Sequence, residues 1–291
     1  MIEEFIEYML YNLGLSMNTW DSYQYALTTF WRFIKRFKHN IDKPESITYE
    51  DINKRVLSQK GLNNKTINTR LCSIRRYLKW CKDLKNIDCI DWNKILSLKE
   101  EDTSVWYFSE IEKRKILKLV DDWYWNSEEI KLRNRLLIYI LMFTWLRIQE
   151  ALNLKTKDVK ESVPIIWKWK HLRYTFLRPE LLDLAQEYID KKKHYSDYLF
   201  STVWNSKHSK VWMQLNQTTT AEFFIKISKI LWFHVHAHKF RHTYATSLLH
   251  LKGSNIYNIA KLLWHKNIAT TQIYLWCDDQ ELKKLNFALK I

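Results

Sequence analysis

The sequence predicts a mainly α-helical protein of two domains, with a small antiparallel β-sheet in the second domain. Its 291 residues are enough for two domains of ordinary size, each with its own core. Apolar residues recur at spacings of three and four through residues 1–85, the period of amphipathic helices. Further along, two short strand-like segments flank a tight turn, and helical patterns occupy the rest of the second half.

Helix signals follow one another in the N-terminal domain, which we place at residues 1–88. Ser16 can cap a helix, and Thr48 with Asp51 forms a capping-box signature for another. The first of these helices repeats its apolar positions at Tyr23, Leu27, Phe30, Ile34 and Phe37. In KTINTRLCSIRRYLKWCK, one face is apolar: Ile67, Leu71, Ile74 and Leu78.

Positive charge is concentrated in the same domain. From Lys54 to Lys85 there are ten Lys or Arg residues and one acid, Asp83. The whole chain carries a formal charge of +15, which favours a polyanionic partner such as nucleic acid over the weaker alternative, an anionic membrane surface. A solvated helical surface would also explain the basic run. If the run binds DNA instead, the candidate DNA-binding residues are Lys65, Arg70, Arg75, Arg76 and Lys79.

Nothing in the sequence predicts a membrane span or a secretory signal. The longest uncharged apolar stretch, Leu136–Leu146, has 11 residues. A spanning helix needs roughly 18 to 20, so we predict a buried helix instead. The first ten residues carry three acids and no base, unlike a signal peptide. The four cysteines lack CxxC spacing, and we therefore expect a cytoplasmic protein with reduced thiols.

The second domain begins after a predicted linker at residues 89–105, which contains the acidic stretch LKEEDTS. Ser109 and Glu112 form a capping box that opens the domain, placed at residues 106–291. After the buried helix come RIQEALNL, a strand in VPII, the WKWK turn and a second strand in HLRYTF. Helices are predicted from there to the end.

Several polar residues in this domain are candidates for chemistry, although each is a weak signal alone. His238, Arg241 and His242 lie at a helix start, where such residues are usually structural or exposed. Arg147 ends the buried apolar run, where a guanidinium needs an anionic partner such as Glu150. Lys168 is at the tip of the hairpin, an ordinary place for a solvent-exposed lysine.

Glycine and tryptophan usage is abnormal. The chain has 3 glycines and 15 tryptophans. Average usage predicts roughly 20 glycines. Tryptophans occupy positions where backbone geometry favours glycine, namely Trp264 at a helix end, Trp232 in KILWFH, and Trp167 and Trp169 in the hairpin turn. We hypothesise that many of these codons are UGA, written as tryptophan in the printed sequence but read as glycine in the source organism.

Taken together, these segments resemble the tyrosine recombinases of the Xer and phage-integrase type. TWLRIQEALNL, the turn lysine in IIWKWK, HKFRHTYAT and LLWHKNIATTQIY match that family in order and spacing, over residues 106–280. The N-terminal helices match its core-binding (SAM-like) domain more loosely. Glycine is the family's residue at Trp145, Trp167, Trp169 and Trp264, which agrees with the recoding hypothesis.

The resemblance implies DNA strand cleavage and rejoining without metal or ATP, through a transient covalent bond between a tyrosine and a 3′ phosphate. It implies that Arg147 and Arg241 clamp the scissile phosphate, and that Tyr274 is the nucleophile. Lys168, with Lys170 as a close competitor, would be the turn lysine. His238 and His265 match the two active-site histidines. Four protomers, identical or from two recombinases, would assemble on two double-stranded DNA sites.

The chemistry is consistent with those residue types. A tyrosine hydroxyl has a pKa of about 10, so it attacks poorly at neutral pH unless cations or a base favour the phenolate. Arginines offer forked donors to the phosphate oxygens, a histidine can handle the tyrosine proton, and a lysine can protonate the leaving 5′ hydroxyl.

Other functions stay open at the level of sequence. A metal-dependent nuclease or transposase would need separated carboxylates to hold divalent ions, but we interpret the acid pairs Asp121-Asp122 and Asp278-Asp279 as solvated. A zinc site could use the alternating histidines His234, His236 and His238. A non-catalytic helical DNA-binding protein explains the charge equally well, and a type IB topoisomerase shares the chemistry. Chromosome-dimer resolution and element mobility are not distinguished.

Overall fold

The computed structural model describes residues 1–38, 43–100, 106–123, 127–166, 172–203, 210 and 212–249. The chain divides into two compact units, residues 1–103 and 104–291. In the described residues both units are mainly helical, and those of the second include a two-stranded antiparallel sheet, so the predicted fold class is confirmed. No helix in the described ranges is long and apolar enough to cross a bilayer.

In its described residues, the first unit has four helices around a hydrophobic core. They are α1 (Ile2–Tyr11), α2 (Met17–Lys35), α3 (Tyr49–Leu57) and α4 (Asn64–Lys85), with 3₁₀ turns at Pro44–Ser46 and Trp92–Lys94. The core gathers the apolar faces of α1, α2 and α4, including Phe5, Leu27, Ile74 and Leu78. Aromatic rings fill its centre, since Phe5 meets Tyr77 edge-on with ring centroids 5.4 Å apart.

Side-chain caps begin α3 and α4 in this unit, whereas α1 and α2 begin without one. The capping box of α3 is confirmed, because the backbone N–H of Asp51 donates to Thr48 Oγ1 at 3.3 Å and that of Thr48 donates to Asp51 Oδ2 at 2.9 Å. Ser16 occupies the predicted position before α2, but its hydroxyl contacts the hydroxyl of Thr19 rather than a backbone N–H. Phe37, predicted as the last apolar position of this helix, instead lies beyond its end at Lys35 and is 66% exposed.

Helix α4 buries the predicted apolar face and ends in a left-handed residue. Ile67, Leu71, Ile74 and Leu78 are all buried. Asn86 terminates the helix with φ of 54°, a conformation that asparagine tolerates better than most residues.

Residues 89–100, which the sequence predicts as part of a linker, pack against α4 in the structure. Arg75 Nε donates to the carbonyl oxygen of Ile95 at 2.7 Å, and the amide of Asn68 donates to the carbonyl oxygen of Leu98 at 2.9 Å. Cys89 and Ile95 are buried in the core of the first unit. Long polar side chains of α4 therefore hold this segment on the unit.

The second unit surrounds a central apolar helix. Its elements are α5 (Glu110–Asp122), α6 (Glu128–Phe143), α7 (Ile148–Leu152), β1 (Ser162–Ile166), β2 (Leu172–Phe176), α8 (Pro179–Lys191), α9 (Gln217–Leu231) and α10 (Ala237–Leu249). The predicted buried run is confirmed, since Leu136, Leu137 and Leu141 on α6 are fully buried. Helices α5, α8 and α10 all lie against α6.

The two strands of the predicted hairpin are present and paired. Strands β1 and β2 pair antiparallel, with Val163 opposite Thr175 and Ile165 opposite Arg173. Val163 and Ile165 are buried, whereas Tyr174 and Phe176 are exposed, as the alternation of a one-sided sheet requires. The turn itself, residues 167–171, lies outside the described residues.

Candidate active site

Arg147 lies at the start of α7, directly after the buried helix α6. Helix α6 ends because Thr144 turns the chain into an extended segment, with its hydroxyl donating to the carbonyl oxygen of Ile140 at 2.6 Å. The Arg147 backbone N–H donates to Glu150 Oε2 at 2.8 Å, and its Nη1 donates to Glu150 Oε1 at 3.1 Å. The expected partner, Glu150, is therefore present, and it is buried while the arginine side chain remains partly exposed.

Arg241 lies on α10, and it is buried with only 5% of its surface exposed. Its Nη1 donates to the backbone carbonyl oxygen of Trp145, two residues before Arg147. The guanidinium carbon also lies 5.6 Å from the centroid of the Trp145 ring. Because Trp145 is itself buried, these contacts hold Arg241 next to the loop that carries Arg147.

His238 lies three residues before Arg241 on the same helix and is solvent-accessible. Partial burial, then the positive charge of Arg147, then that of Arg241 lower its pKa below the ordinary value. Both arginines are therefore close enough to His238 to act on it electrostatically. Residues from two distant parts of the sequence form one cationic cluster, with a neutral histidine at neutral pH.

The rest of the predicted catalytic set comes from the β1–β2 turn and from the sequence after α10. Lys168 and its competitor Lys170, as well as His265 and Tyr274, lie outside the described residues. The same holds for Trp167, Trp169 and Trp264. The described half of the candidate site thus consists of Arg147, His238 and Arg241.

Some candidate DNA-binding residues on α4 are exposed to solvent, whereas others donate hydrogen bonds to the rest of the protein. Lys65, Arg76 and Lys79 are exposed. Arg70 donates to the side-chain oxygen of Gln59, and Arg75 donates to Ile95 and to Ser97 Oγ at 3.1 Å. Arg75 therefore has a structural role that the basic pattern of the sequence does not reveal.

Aromatic rings support several of these cations. The guanidinium carbons of Arg70 and Arg76 lie 5.6 and 5.8 Å from the ring centroids of Tyr25 and Tyr23 on α2. Such contacts restrict long side chains without neutralising their charge. They leave a basic surface on α4 that is partly organised before any anion binds.

Arg55 on α3 extends this basic surface, although it is not among the predicted candidates. Its guanidinium carbon lies 5.2 Å from the ring centroid of Phe33. Burial, followed by the positive charges of Arg70 and Arg36, lowers the pKa of Arg55, although it stays fully charged at neutral pH. The sequence signal was available in the basic run, but α2, α3 and α4 had to pack before these arginines could meet.

The zinc alternative gains no third ligand from the structure. His234 and His236 have ring centroids 5.0 Å apart. In the part of the chain that the structure describes, no group of three His, Cys, Asp or Glu side chains is arranged to hold a metal ion.

Comparison with known proteins matches both halves of the chain. Residues 108–281 match the Phage integrase family, and residues 2–85 match the Phage integrase, N-terminal SAM-like domain. The chain is 26% identical to "Tyrosine recombinase XerC" of Bacillus pumilus, over 98% of this chain and 94% of that protein. It is 27% identical to "Tyrosine recombinase" of Pseudothermotoga lettingae, over 97% of this chain and 95% of that protein.

Two solved structures have a similar fold. The XerH site-specific recombinase bound to palindromic difH substrate, in a post-cleavage complex, superposes with a TM-score of 0.71 at 23% identity, over 98% of this chain and 83% of that one. A lambda integrase dimer bound to a COC′ core site superposes with a TM-score of 0.68 at 16% identity, over 96% of this chain and 94% of that one.

Proposed function

We propose a mechanism for this chain, which belongs to the phage integrase family and is a tyrosine recombinase. Tyr274 attacks the scissile phosphorus of a DNA strand through its phenol oxygen. The P–O5′ bond breaks, the 5′ oxygen leaves with a proton, and a 3′-phosphotyrosine bond forms. Rejoining reverses these steps on a new 5′ hydroxyl and returns a proton to Tyr274. Since the phosphotyrosine conserves the energy of the phosphodiester, no ATP is needed.

The observation that supports this proposal most directly is the cluster of Arg147, Arg241 and His238. Each arginine is anchored before substrate arrives, Arg147 by the carboxylate of Glu150 and Arg241 by the backbone carbonyl oxygen of Trp145. Anchored guanidinium groups stabilise the charge of a pentacoordinate phosphorus without reorganising during the reaction. One such donor is typically worth a factor of about 100 to 1,000 in rate.

Proton transfer falls to the remaining groups in this scheme. His238, held neutral by its surroundings, is able to accept a proton or to donate a hydrogen bond to a phosphate oxygen. His265 shares that role from its own segment. Lys168 in the β1–β2 turn protonates the departing 5′ oxygen, with Lys170 as the alternative donor.

DNA binding in the proposal uses residues 1–88 as the core-binding domain and residues 106–291 as the catalytic domain. The exposed cations Lys65, Arg76 and Lys79 contact phosphates, and Arg70 and Arg55 extend that surface. Four protomers assemble on two duplex sites, and the segment after Tyr274 docks on a neighbouring protomer. The XerH and lambda integrase complexes, which contain DNA, support duplex DNA as the partner.

A nicked suicide duplex tests the reaction. After cleavage the short strand diffuses away, so the wild type should accumulate a covalent protein-DNA adduct, while Tyr274→Phe should accumulate none. Tyr195→Phe is the matched control, because Tyr195 is 86% exposed and the substitution removes only its hydroxyl and the surface hydrogen bond of that hydroxyl to Asp197. An equal adduct yield from Tyr274→Phe and the wild type would refute the nucleophile. Relaxation of supercoiled plasmid without any specific site would favour a topoisomerase instead.

A further inference from the structure

We infer that Lys239 and Glu112 are positioning residues, which set the orientation of α10 and through it the placement of His238 and Arg241. This inference rests on the proposed function, since it concerns the geometry of the same phosphate site. Neither residue touches the reacting atoms in the proposed mechanism. Lys239 lies between the two proposed catalytic residues in sequence, in the segment HKFR, but its side chain is directed into the interior.

The environment of Lys239 is unusual for a lysine. It is buried, with 6% of its surface exposed, and its Nζ lies 3.4 Å from Glu112 Oε1. The same Nζ lies 4.4 Å from the ring centroid of Phe108 and 5.7 Å from that of Phe233. A lysine is rarely buried unless its charge is paired, so Glu112 and the two rings account for its position.

Glu112 connects this lysine to the beginning of α5. Its second oxygen, Oε2, accepts from the backbone N–H of Ser109 at 2.8 Å, and its own N–H donates to Ser109 Oγ at 3.2 Å. The predicted capping box of α5 is therefore confirmed. One carboxylate thus both caps α5 and pairs with α10.

A second contact ties the same two segments together. The backbone N–H of Phe108 donates to Thr243 Oγ1 at 2.8 Å, and that hydroxyl donates to the carbonyl oxygen of Lys239 at 2.7 Å. The rings of Phe108 and Phe240 also meet edge-on with centroids 4.9 Å apart. Residues 108–112 therefore contact α10 at three residues within about one helical turn, Lys239, Phe240 and Thr243.

The helix geometry explains why this contact matters for the site. Lys239 and Thr243 are four residues apart and share one face of α10, whereas His238 and Arg241 point elsewhere around the axis. With a side-chain radius of about 5 to 6 Å, a rotation of roughly 10° about the axis moves a side-chain atom by about 1 Å. A misplacement of that size can lower a rate by about 100-fold. Contacts that hold one face of α10 therefore also position His238 and Arg241, which project from the rest of its circumference.

Cleavage of the suicide duplex at saturating concentration, measured together with DNA affinity and the unfolding midpoint, tests the inference. Glu112→Gln keeps an oxygen that can accept from the backbone N–H of Ser109, but it removes the negative charge. It should lower the cleavage rate by about 10- to 100-fold and change the DNA affinity by less than about twofold. Lys239→Met should behave alike. Lys239→Arg retains the charge and should restore most of the rate.

The matched control is Glu110→Gln, on the same helix but 72% exposed, which should cleave like the wild type. Assays run well below every unfolding midpoint, so a loss of rate does not reflect unfolding. The inference is overturned if Glu112→Gln cleaves at the wild-type rate. It is also overturned if Lys239→Arg cleaves as slowly as Lys239→Met. A wild type that forms no adduct at all refutes the proposed function instead.

The backbone at Trp232 carries a second, independent inference. We infer that residue 232 is glycine in the protein made by the source organism. Helix α9 ends at Leu231, and Trp232 follows in the left-handed conformation with φ of 60° and ψ of 26°. Glycine is the usual residue at such a helix end, because any Cβ raises the energy of this conformation. The indole is 92% exposed, so packing does not compensate for that energy.

The other hypothesised positions differ in what the structure says. Trp145 is buried against Arg241 and does not have a positive φ, so its backbone gives no independent support for glycine.

Mass spectrometry of the tryptic peptide spanning residues 230–239 from the native organism decides position 232. Glycine is the expected result, and tryptophan overturns the inference.

Discussion

Replacing Trp232 by glycine should stabilise the folded protein, whichever residue the organism uses. A left-handed conformation costs a residue with a Cβ about 1–2 kcal/mol. Against this, glycine loses more backbone entropy on folding, which costs about 0.5–1 kcal/mol. The substitution gives up almost no buried surface, because the indole is 92% exposed. The two ranges differ by about 0–1.5 kcal/mol, and their centres differ by about 0.75 kcal/mol, so we take about 0.5–1 kcal/mol as the expected net gain in the free energy of unfolding.

Thermal unfolding measures this gain directly. For a unit of this size, 1 kcal/mol raises the midpoint by about 2–4 °C, so Trp232→Gly should unfold about 1–4 °C above the parent chain. Trp232→Ala is the control at the same position, since it removes the indole but keeps the Cβ. Asn86→Gly is a second control at a left-handed helix end, and it should gain less because asparagine tolerates φ of 54°.

An unchanged or lower midpoint for Trp232→Gly would refute this reasoning. So would an equal gain from Trp232→Ala, because the benefit would then come from losing an exposed ring rather than from relieving the backbone. Trp212→Gly separates these cases further. Trp212 is 57% exposed but has no positive φ, so replacing it should bring no gain.

Four more predictions concern the reaction and its partners. Arg241→Ala should lower the cleavage rate of a suicide duplex by about 100- to 1,000-fold, and a rate near wild type would refute its proposed role. The pKa of His238 is lower in the folded protein than in the unfolded chain, so the unfolded chain takes up this proton at a higher pH. The free energy of unfolding should therefore fall as the pH drops below about 6.5. His238→Gln should remove that part of the pH dependence in denaturant titrations. Arg76→Ala should weaken duplex binding and reduce the dependence of log K on log salt by about 1, whereas an unchanged slope would exclude a phosphate contact. Deleting residues 280–291 should weaken synapsis of two sites more than binding to one site in gel-shift assays, and equal losses would contradict the docking of the tail on a neighbour.

Features that depend on residues within one helical turn were predictable. The capping boxes of Thr48 with Asp51 and Ser109 with Glu112 are both present, as is the pairing of Arg147 with Glu150. In each case the partners are three residues apart, so the local backbone alone brings them together. The buried helix α6 was predictable for a different reason, because a long apolar run between charged residues has few stable environments other than a protein core.

Wrong or incomplete expectations arose where a residue's environment depends on where its helix ends or on what packs beside it. Phe37 follows the apolar period of α2 but lies past the helix end, in solvent. Arg75 fits the basic pattern of α4, yet it holds the backbone at Ile95. Periodicity describes which face a residue occupies, but it does not identify the segment that covers that face.

By itself, the sequence determined the helical class, the hairpin, the basic character of α4 and the order of residues that matches the family, since these are properties of composition and short spacing. Tertiary structure decided which groups meet. Arg241 reaches a carbonyl oxygen 96 residues away, and Lys239 pairs with a carboxylate 127 residues away. Such contacts depend on how α5, α6 and α10 pack together. Packing is a collective property of many side chains, so no short stretch of sequence encodes it.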